Sequence, residues 1–136
     1  GCLINGVAFK PKGSLFGPPS LQCAYQYLNG GYYFQLGASD DLHSISVGTD
    51  SLKIKENTTY QLLSFNNAGV ASGQYNYYGG TIIPPVHTNP LYPGSLSITK
   101  YDSINQIVSG TFWFNVVYNN DTVRITNGRF DMHYTL

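Results

Sequence analysis

Short segments of alternating apolar and polar residues, separated by glycine, proline and asparagine, run through almost the whole of this chain. The pattern is clearest in the last third, where residues 106–118 and 122–134 form two long alternating arms around Asn119, Asn120 and Asp121. Successive residues of a β-strand point to opposite faces, so a period of two predicts strands. No segment keeps the period of 3.6 residues that an amphipathic helix requires. The sequence therefore predicts an all-β fold, a single antiparallel β-sandwich or flattened barrel with little or no helix.

The alternation also assigns the two faces of the C-terminal hairpin. One face of the first arm carries Phe112, Phe114 and Val116, and the opposite face carries Thr111, Trp113 and Asn115. In the return arm the apolar positions are Val123, Ile125, Phe130, Met132 and Tyr134, with a change of phase at Gly128. We expect the face that carries the phenylalanines to form the core of the domain.

Asn-Gly pairs predict tight turns in the first part of the chain. Asn5-Gly6 interrupts a strand candidate at residues 3–9 as a tight turn or a bulge, and Asn29-Gly30-Gly31 joins two arms of a hairpin. Further strands are predicted at residues 43–47, 60–65, 72–78 and 95–101. Residues 52–55, where leucine and isoleucine alternate with two lysines, are typical of a half-exposed edge strand. Residues 79–94 contain four prolines and are predicted to be the longest loop.

Composition and charge narrow the possible functions. The 136 residues fit one domain, residues 1–136, and charged residues make up only 10% of them, against about 25% in an average protein. Twelve tyrosines and many hydroxyl and amide side chains provide a polar surface with few charges, as is common in exported proteins. Seven basic residues balance seven acidic ones without a basic run, so the pattern expected of a nucleic-acid-binding protein is missing. No apolar stretch approaches the roughly 18 residues that would span a bilayer.

The two cysteines, Cys2 and Cys23, flank a loop rich in proline and glycine at residues 10–19. A disulfide between them would close this loop and stabilise the domain by about 3 kcal/mol. The exported type of composition favours this pairing, and the alternative is two buried free thiols. Neither cysteine has a second Cys or His at the spacing of a zinc site.

Three segments of the C-terminal third carry a resemblance to a known family. Residues 97–102 read Ser-Ile-Thr-Lys-Tyr-Asp, residues 105–112 read Asn-Gln-Ile-Val-Ser-Gly-Thr-Phe, and residues 123–131 read Val-Arg-Ile-Thr-Asn-Gly-Arg-Phe-Asp. With the opening residues 1–6 and with residues 17–23, Gly-Pro-Pro-Ser-Leu-Gln-Cys, the chain resembles an uncharacterised family of small Bacteroidetes envelope lipoproteins, defined only as a domain of unknown function.

That resemblance implies an exported, lipid-anchored domain that faces the periplasm or the cell exterior, and it implies no activity. Because no flexible tether precedes Cys2, we expect the lipid-modified cysteine to lie upstream of it. Contact with the membrane would then be made through that anchor alone.

Two pairs of residues are candidates for chemistry. Asp131 and His133 lie on one face of a predicted strand, where a serine or threonine of the neighbouring strand would complete a hydrolase-like set. Asp41 and His43, with Asp40 adjacent, have the spacing of possible metal ligands. The sequence contains no established catalytic motif. We therefore predict no catalytic site, no metal and no cofactor, and a solvent-exposed role for both pairs.

Aromatic side chains provide the candidate ligand site. Tyr75, Tyr77 and Tyr78 lead into the proline-rich loop, which adds His87 and Tyr92. Planar rings with a polar edge beside a loop would form a platform for a sugar or a peptide. The alternative is that these tyrosines pack at the edge of the sheet.

The leading hypothesis is a monomeric, non-enzymatic cell-envelope domain that binds a glycan, a peptide or an envelope protein. One alternative is a hydrolase-type enzyme with a minimal site around His133 or His43. Another is a structural subunit of a surface assembly, for which an exposed sheet edge would be evidence.

Overall fold

The structure is a computed structural model that describes residues 1–13, 19–80 and 83–136. The described residues form strands and turns without any helix, which confirms the all-β prediction. Among them there is accordingly no helix of the length and hydropathy needed to cross a membrane. The strands are β1 (Cys2–Ile4), β2 (Val7–Phe9), β3 (Leu21–Leu28), β4 (Gly31–Ser39), β5 (His43–Asp50), β6 (Thr58–Leu62), β7 (Val70–Tyr77), β8 (Val86–His87), β9 (Gly94–Asp102), β10 (Ile107–Tyr118) and β11 (Asp121–His133).

All of these strands belong to one curled sheet with the order β2-β1-β11-β10-β9-β6-β7-β5-β4-β3, and β8 pairs with β7. The pairs are antiparallel except β6 with β7. The sheet curls into a half-barrel. Just beyond β11 the chain runs beside β3, where the Tyr25 amide donates to the Thr135 carbonyl at 2.9 Å and the Thr135 amide donates to the Cys23 carbonyl at 3.0 Å. These bonds join the last strand to the far end of the sheet.

Three hairpins have two-residue turns, which lie between β1 and β2, β3 and β4, and β10 and β11. Their central residues have positive φ, as the turns that match strand twist require. The values are Asn5 49°, Gly6 81°, Asn29 50°, Gly30 85°, Asn119 50° and Asn120 66°. The first hairpin shows that Asn5-Gly6 is a turn rather than a bulge, and the second confirms the predicted hairpin.

The long hairpin of β10 and β11 contains a bulge at the predicted change of phase. Phe112 lies opposite Gly128 and Phe114 lies opposite Ile125, so β11 has one more residue than β10 in this interval. Asn127 takes up the extra residue with a φ of 52°. A Cβ atom at Gly128 would lie 2.6 Å from the ring of Phe112, so only glycine leaves room for that ring.

The core lies on the inner face of the curled sheet, and the faces predicted for the C-terminal hairpin are confirmed. Phe112, Phe114 and Val116 are buried, whereas Thr111 and Trp113 are exposed. The other arm contributes Val123, Ile125, Phe130 and Tyr134 to the same core. Strands β4 to β7 close the opposite side with Phe34, Leu36, Ile45, Val47, Leu62, Ala71 and Tyr75.

Two predicted segments differ from the structure. Residues 52–55 are not a strand, although Ile54 is buried as the alternation indicated. Two of their amides bond to tyrosine hydroxyls instead of to a strand: Tyr25 Oη accepts from the Ile54 amide at 3.2 Å, and Tyr60 Oη accepts from the Lys55 amide at 2.7 Å. The predicted loop 79–94 contains β8 and a bridge between Asn89 and Tyr92. Residues 81–82 of this loop and 14–18 of the loop 10–19 lie outside the described residues.

The predicted disulfide between Cys2 and Cys23 is wrong in this structure, where both cysteines are buried free thiols. The strand pairing explains the difference. Cys2 on β1 lies opposite Phe9 of β2, and Cys23 on β3 lies opposite Leu36 of β4. Strand β1 pairs with β2 and β11, so the two cysteine-bearing strands are not neighbours in the sheet.

Candidate functional site

A groove of about 650 Å³ lies on the outer face of the sheet, across β9, β10 and β11. Its size falls within the range of about 300–1,000 Å³ that is typical of ligand sites. Nine described residues line it: Ser95, Ser97, Thr111, Phe112, Trp113, Thr126, Asn127, Gly128 and Arg129. Most are small hydroxyl, amide or glycine residues, which leave the backbone of the sheet accessible. We call it the Trp113 groove.

Trp113 is the single tryptophan of the chain and lies in the middle of β10. Its side chain faces outward and is 44% exposed, while its neighbours Phe112 and Phe114 are buried. An indole in this position offers a rigid apolar face and one N–H donor to a ligand.

Hydroxyl groups lie beside the indole in two rows that run across the strands, one through Trp113 and one through Thr111. Trp113 lies opposite Ser95 of β9, and Thr111 lies between Ser97 of β9 and Arg129 of β11. The hydroxyls of Ser97 and Thr59 are 2.9 Å apart, and this hydrogen bond ties the row to β6. The polar groups are therefore held by strands rather than by loops, which limits their motion before a ligand binds.

The bulge in β11 supplies the remaining wall of the Trp113 groove. Phe112 and Phe114 have partners on β11, so the two residues of the bulge, Thr126 and Asn127, lie opposite Trp113. Bulges re-aim side chains next to binding sites. Here the bulge places a hydroxyl and an amide beside the indole.

Arg129 is the one charged side chain among the described residues that line the Trp113 groove. In the described part of the chain the ion pairs are Lys12 with Asp41 and His43 with Asp40, so Arg129 is not in an ion pair. Two residues further along β11, the Asp131 carboxylate accepts a hydrogen bond from the Ser109 hydroxyl at 2.6 Å. The groove thus carries one positive charge and no negative one.

The structure does not bring the five predicted ligand residues into one site. Tyr75 is 4% exposed and packs inside the sheet against Tyr118, with the ring centroids 5.5 Å apart. His87 lies opposite Gln74 in the sheet, and its ring stacks on Phe65 with the ring centroids 4.1 Å apart. Partial burial lowers the pKa of the His87 imidazole.

The other three residues of that set do not form one surface either. Tyr77 is half-buried against the core, Tyr78 is 59% exposed, and Tyr92 belongs to the bridge with Asn89. Tyr75 and Tyr77 share the inner face of β7, where both pack edge-on against Tyr118, whereas Tyr78 follows the end of the strand and Tyr92 lies in the loop.

His43 is held by a carboxylate, but by Asp40 rather than Asp41. Its Nδ1 atom lies 3.1 Å from Asp40 Oδ1, while Asp41 pairs with Lys12 at 3.2 Å. A pocket of about 320 Å³ adjoins this pair and is lined mainly by β1 and β2. No serine or threonine is among the described residues that line it.

Asp131 and His133 do share a face near the end of β11, as predicted. The hydroxyl that reaches Asp131 is that of Ser109, while His133 lies opposite Ile107 and makes no hydrogen bond through its ring among the described residues. Within the same residues no group of three His, Cys, Asp or Glu side chains is placed to hold a metal ion. These contacts form a hydroxyl–carboxylate pair, not a triad.

A smaller cavity of about 230 Å³ lies between the β1–β2 hairpin, β4 and β11. Its walls are mainly apolar, with Phe9, Leu36, Phe112 and Phe130 among them. It offers few groups that would orient a polar ligand. Its polar lining consists of Ser46, Arg129 and Asp131, so Arg129 borders both this cavity and the Trp113 groove.

Comparisons with known proteins add no family to this description. No family model matches the chain, and neither a curated protein nor a solved structure was found to be similar to it.

The sequence contained one signal for the Trp113 groove. The alternation placed Trp113 on the face opposite the phenylalanines of β10, and a tryptophan on a polar face is unusual. The serines of β9 and the bulge residues of β11 carried no such signal, because their approach to Trp113 depends on strand register.

Proposed function

We propose that this domain is a non-enzymatic binding module for glycans and that the Trp113 groove is its binding site. The observation that carries the proposal is the half-exposed indole in the centre of a three-stranded face otherwise made of hydroxyl, amide and guanidinium groups. The apolar face of a sugar ring stacks on an aromatic ring, and its hydroxyls need donors and acceptors around the rim. The groove contains both components.

Each part of the groove has a role in this proposal. Trp113 provides the stacking surface, and the hydroxyls of Ser95, Thr111 and Thr126 together with the Asn127 amide bond to sugar hydroxyls. The side chains come from paired strands, so little conformational entropy is lost on binding. An extended surface of this kind suits a chain of sugars better than a compact ligand.

A cell-envelope location is part of the same proposal. It is supported by the resemblance to envelope lipoproteins and by a surface that is polar with few charges. A binding role without catalysis is supported by the contacts of the histidines, since among the described residues the ring of His43 bonds to Asp40 and neither His43 nor His133 bonds to a serine or threonine hydroxyl.

The single tryptophan makes the test direct. Soluble cello-, xylo-, manno- and galacto-oligosaccharides are titrated into the protein while Trp113 fluorescence is recorded, and the affinity is confirmed by calorimetry. Calorimetry is then repeated with Trp113→Ala and with the matched control Tyr78→Ala, which removes an exposed aromatic ring outside the groove. We expect Trp113→Ala to weaken binding at least about tenfold, since the indole contributes buried apolar area as well as stacking, together about 1.5 kcal/mol or more.

Tyr78→Ala is expected to bind within about twofold of the wild type. Two results would contradict the proposal: no oligosaccharide binds, or Trp113→Ala binds as well as the wild type. Loss of binding in Tyr78→Ala with normal binding in Trp113→Ala would move the site to the tyrosines around β7.

A further inference from the structure

We infer that the Trp113 groove selects acidic glycans, with the carboxylate of a uronic acid bound by Arg129. This inference rests on the proposed glycan-binding function and names the class of sugar that the groove would prefer. It follows from the charge of the groove, the position of Arg129 and the absence of a competing partner for its guanidinium within the described residues.

The charge of the groove is the first observation. Eight of its nine described lining residues are uncharged, and the ninth is Arg129. A neutral sugar would need only the hydroxyl and amide groups already present. An unpaired guanidinium in such a groove attracts an anionic ligand and presents two parallel N–H donors that match a carboxylate.

The setting of Arg129 is the second observation. Its backbone amide donates to the Gly1 carbonyl at 3.0 Å, which fixes this part of β11 against the N-terminal segment. The residue lies directly opposite Thr111, and Thr111 precedes Trp113 by two positions on the same face of β10. Two positions along a strand span about 7 Å. A sugar stacked on Trp113, or the next sugar in the chain, therefore places its substituents near Arg129.

Asp131 is the nearest acidic residue on this face of β11, and it forms no ion pair with Arg129 in the described part of the chain. Its carboxylate is engaged by the Ser109 hydroxyl at 2.6 Å. Lys100 of β9 lies opposite Ser109 in the sheet register, which places a positive charge on the far side of Asp131. Asp131 and Lys100 both lie outside the described lining of the Trp113 groove.

The chemistry separates two closely similar ligands. A hexuronic acid differs from the corresponding hexose at C6, where a carboxylate replaces a hydroxymethyl group. The stacking surface and the ring hydroxyls are the same in both. Any difference in affinity between the two measures the contact made by the carboxylate, and we expect it to be about tenfold in favour of the acid at low salt.

The experiment uses three matched pairs of oligosaccharides: glucan and glucuronan, mannan and mannuronan, and galactan and galacturonan. Affinities are measured by calorimetry for the wild type, Arg129→Gln and Arg129→Lys, with Lys100→Gln as a control for charge outside the groove. We expect at least one pair to show the tenfold preference in the wild type. The preference should fall close to one in Arg129→Gln, be reduced in Arg129→Lys, and persist in Lys100→Gln.

The other possible outcomes overturn the inference, the proposed function or the role of Arg129. Equal binding of both members of every pair by the wild type overturns the inference but leaves the proposed glycan-binding function in place. No binding of either member of any pair overturns both. A preference that persists in Arg129→Gln, or that disappears in Lys100→Gln, assigns the acidic selectivity elsewhere and overturns the role of Arg129.

Discussion

The Asp40 carboxylate organises the turn between β4 and β5. It accepts hydrogen bonds from the amides of Leu42 and His43, at 2.8 and 2.6 Å, and lies 3.1 Å from His43 Nδ1. Partial burial by itself would raise the pKa of Asp40, but these hydrogen bonds outweigh it and hold the pKa below its ordinary value of 3.8. The ionised form is therefore the one that stabilises the fold.

This sets the direction of a pH dependence. A carboxyl whose pKa is lower in the folded state contributes stability above its unfolded pKa, and the contribution is lost as the pH falls through the folded pKa. We expect the wild type to exceed Asp40→Ala in unfolding free energy at about pH 5 and the difference to shrink toward about pH 2. Urea denaturation of both proteins across this range measures the difference.

Asp41→Ala is the matched control, because the exposed ion pair of Asp41 with Lys12 contributes little to stability. A difference that stays constant over the whole range would show that the charge of Asp40 is not the stabilising feature.

The two cysteines give a second prediction at the scale of single residues. Burial raises the pKa of Cys2 to about 11 and that of Cys23 to about 12, so neither forms the reactive thiolate near neutral pH. We expect the native, unreduced protein to react negligibly with a chromogenic thiol reagent and the denatured protein to react at two thiols. Fewer than two thiols after denaturation would indicate a disulfide and reinstate the pairing that the sequence predicted.

Alternation along the strands predicted the direction of single side chains in the candidate site but not which side chains lie together. The period of two correctly placed Trp113 outward and Phe112 inward, because it depends only on local geometry. It could not show that Tyr75 is buried while His87, a dozen residues later, lies on the outer face, since β8 pairs with β7 only after the loop folds back. Tyr75 and His87, which are near one another in the sequence, therefore lie on different faces of the sheet and form no common platform.

At the scale of elements, the hairpins were predictable because their turns are encoded locally. Asn5-Gly6 and Asn29-Gly30 adopt the positive φ values that these residue types tolerate best. Residues 52–55 were wrongly predicted because the amides of Ile54 and Lys55 bond to the hydroxyls of Tyr25 and Tyr60 instead of to a neighbouring strand, and the alternation of side chains does not reveal such partners. Alternation still indicated the burial of Ile54 correctly, since side-chain direction does not depend on what the backbone bonds to.

The turn between β3 and β4 provides a prediction at this scale. Gly30 has a φ of 85°, and a Cβ atom added there would meet no atom within 4 Å, so the cost of a side chain is purely conformational. We expect Gly30→Ala to lower the unfolding free energy by about 1–2 kcal/mol. Gly37 of β4 is the matched control, because a Cβ atom there also meets nothing within 4 Å and its φ is not positive. Gly37→Ala should change stability by less than about 0.5 kcal/mol. Equal effects of the two substitutions in chemical denaturation would argue against a turn with positive φ.

For the whole molecule, the fold class followed from the sequence but the strand order did not. Strand β6 lies between β9 and β7 and pairs with β7 in parallel, although the two are consecutive in the chain. Such non-local pairing is determined by how the apolar faces of all strands close around one core. The same closure separates Cys2 from Cys23 and places Thr135 beside Ala24.

Phe114 lies at the centre of this core. Its ring is fully buried, and it packs so closely on β7 that a Cβ atom at Gly73 would lie 2.8 Å from it. Phe114 therefore joins the β10–β11 hairpin to the opposite side of the curled sheet. Its neighbour Trp113, on the same strand, faces solvent.

A comparison of alanine variants of these two adjacent aromatic residues distinguishes a role in stability from a role in binding. We expect Phe114→Ala to lower the unfolding free energy by about 3–5 kcal/mol, because it leaves a cavity at the centre of the core. Trp113→Ala should lower it by about 1–2 kcal/mol, since much of the indole is already in contact with water. Denaturant titrations of both variants, with far-UV spectra to confirm that each still folds, measure the difference. If Trp113→Ala costs as much as Phe114→Ala, the indole is a structural residue, and its exposure no longer supports a binding site at the Trp113 groove. If its cost is small and glycan binding is lost with it, the exposed indole is retained for the ligand rather than for the fold.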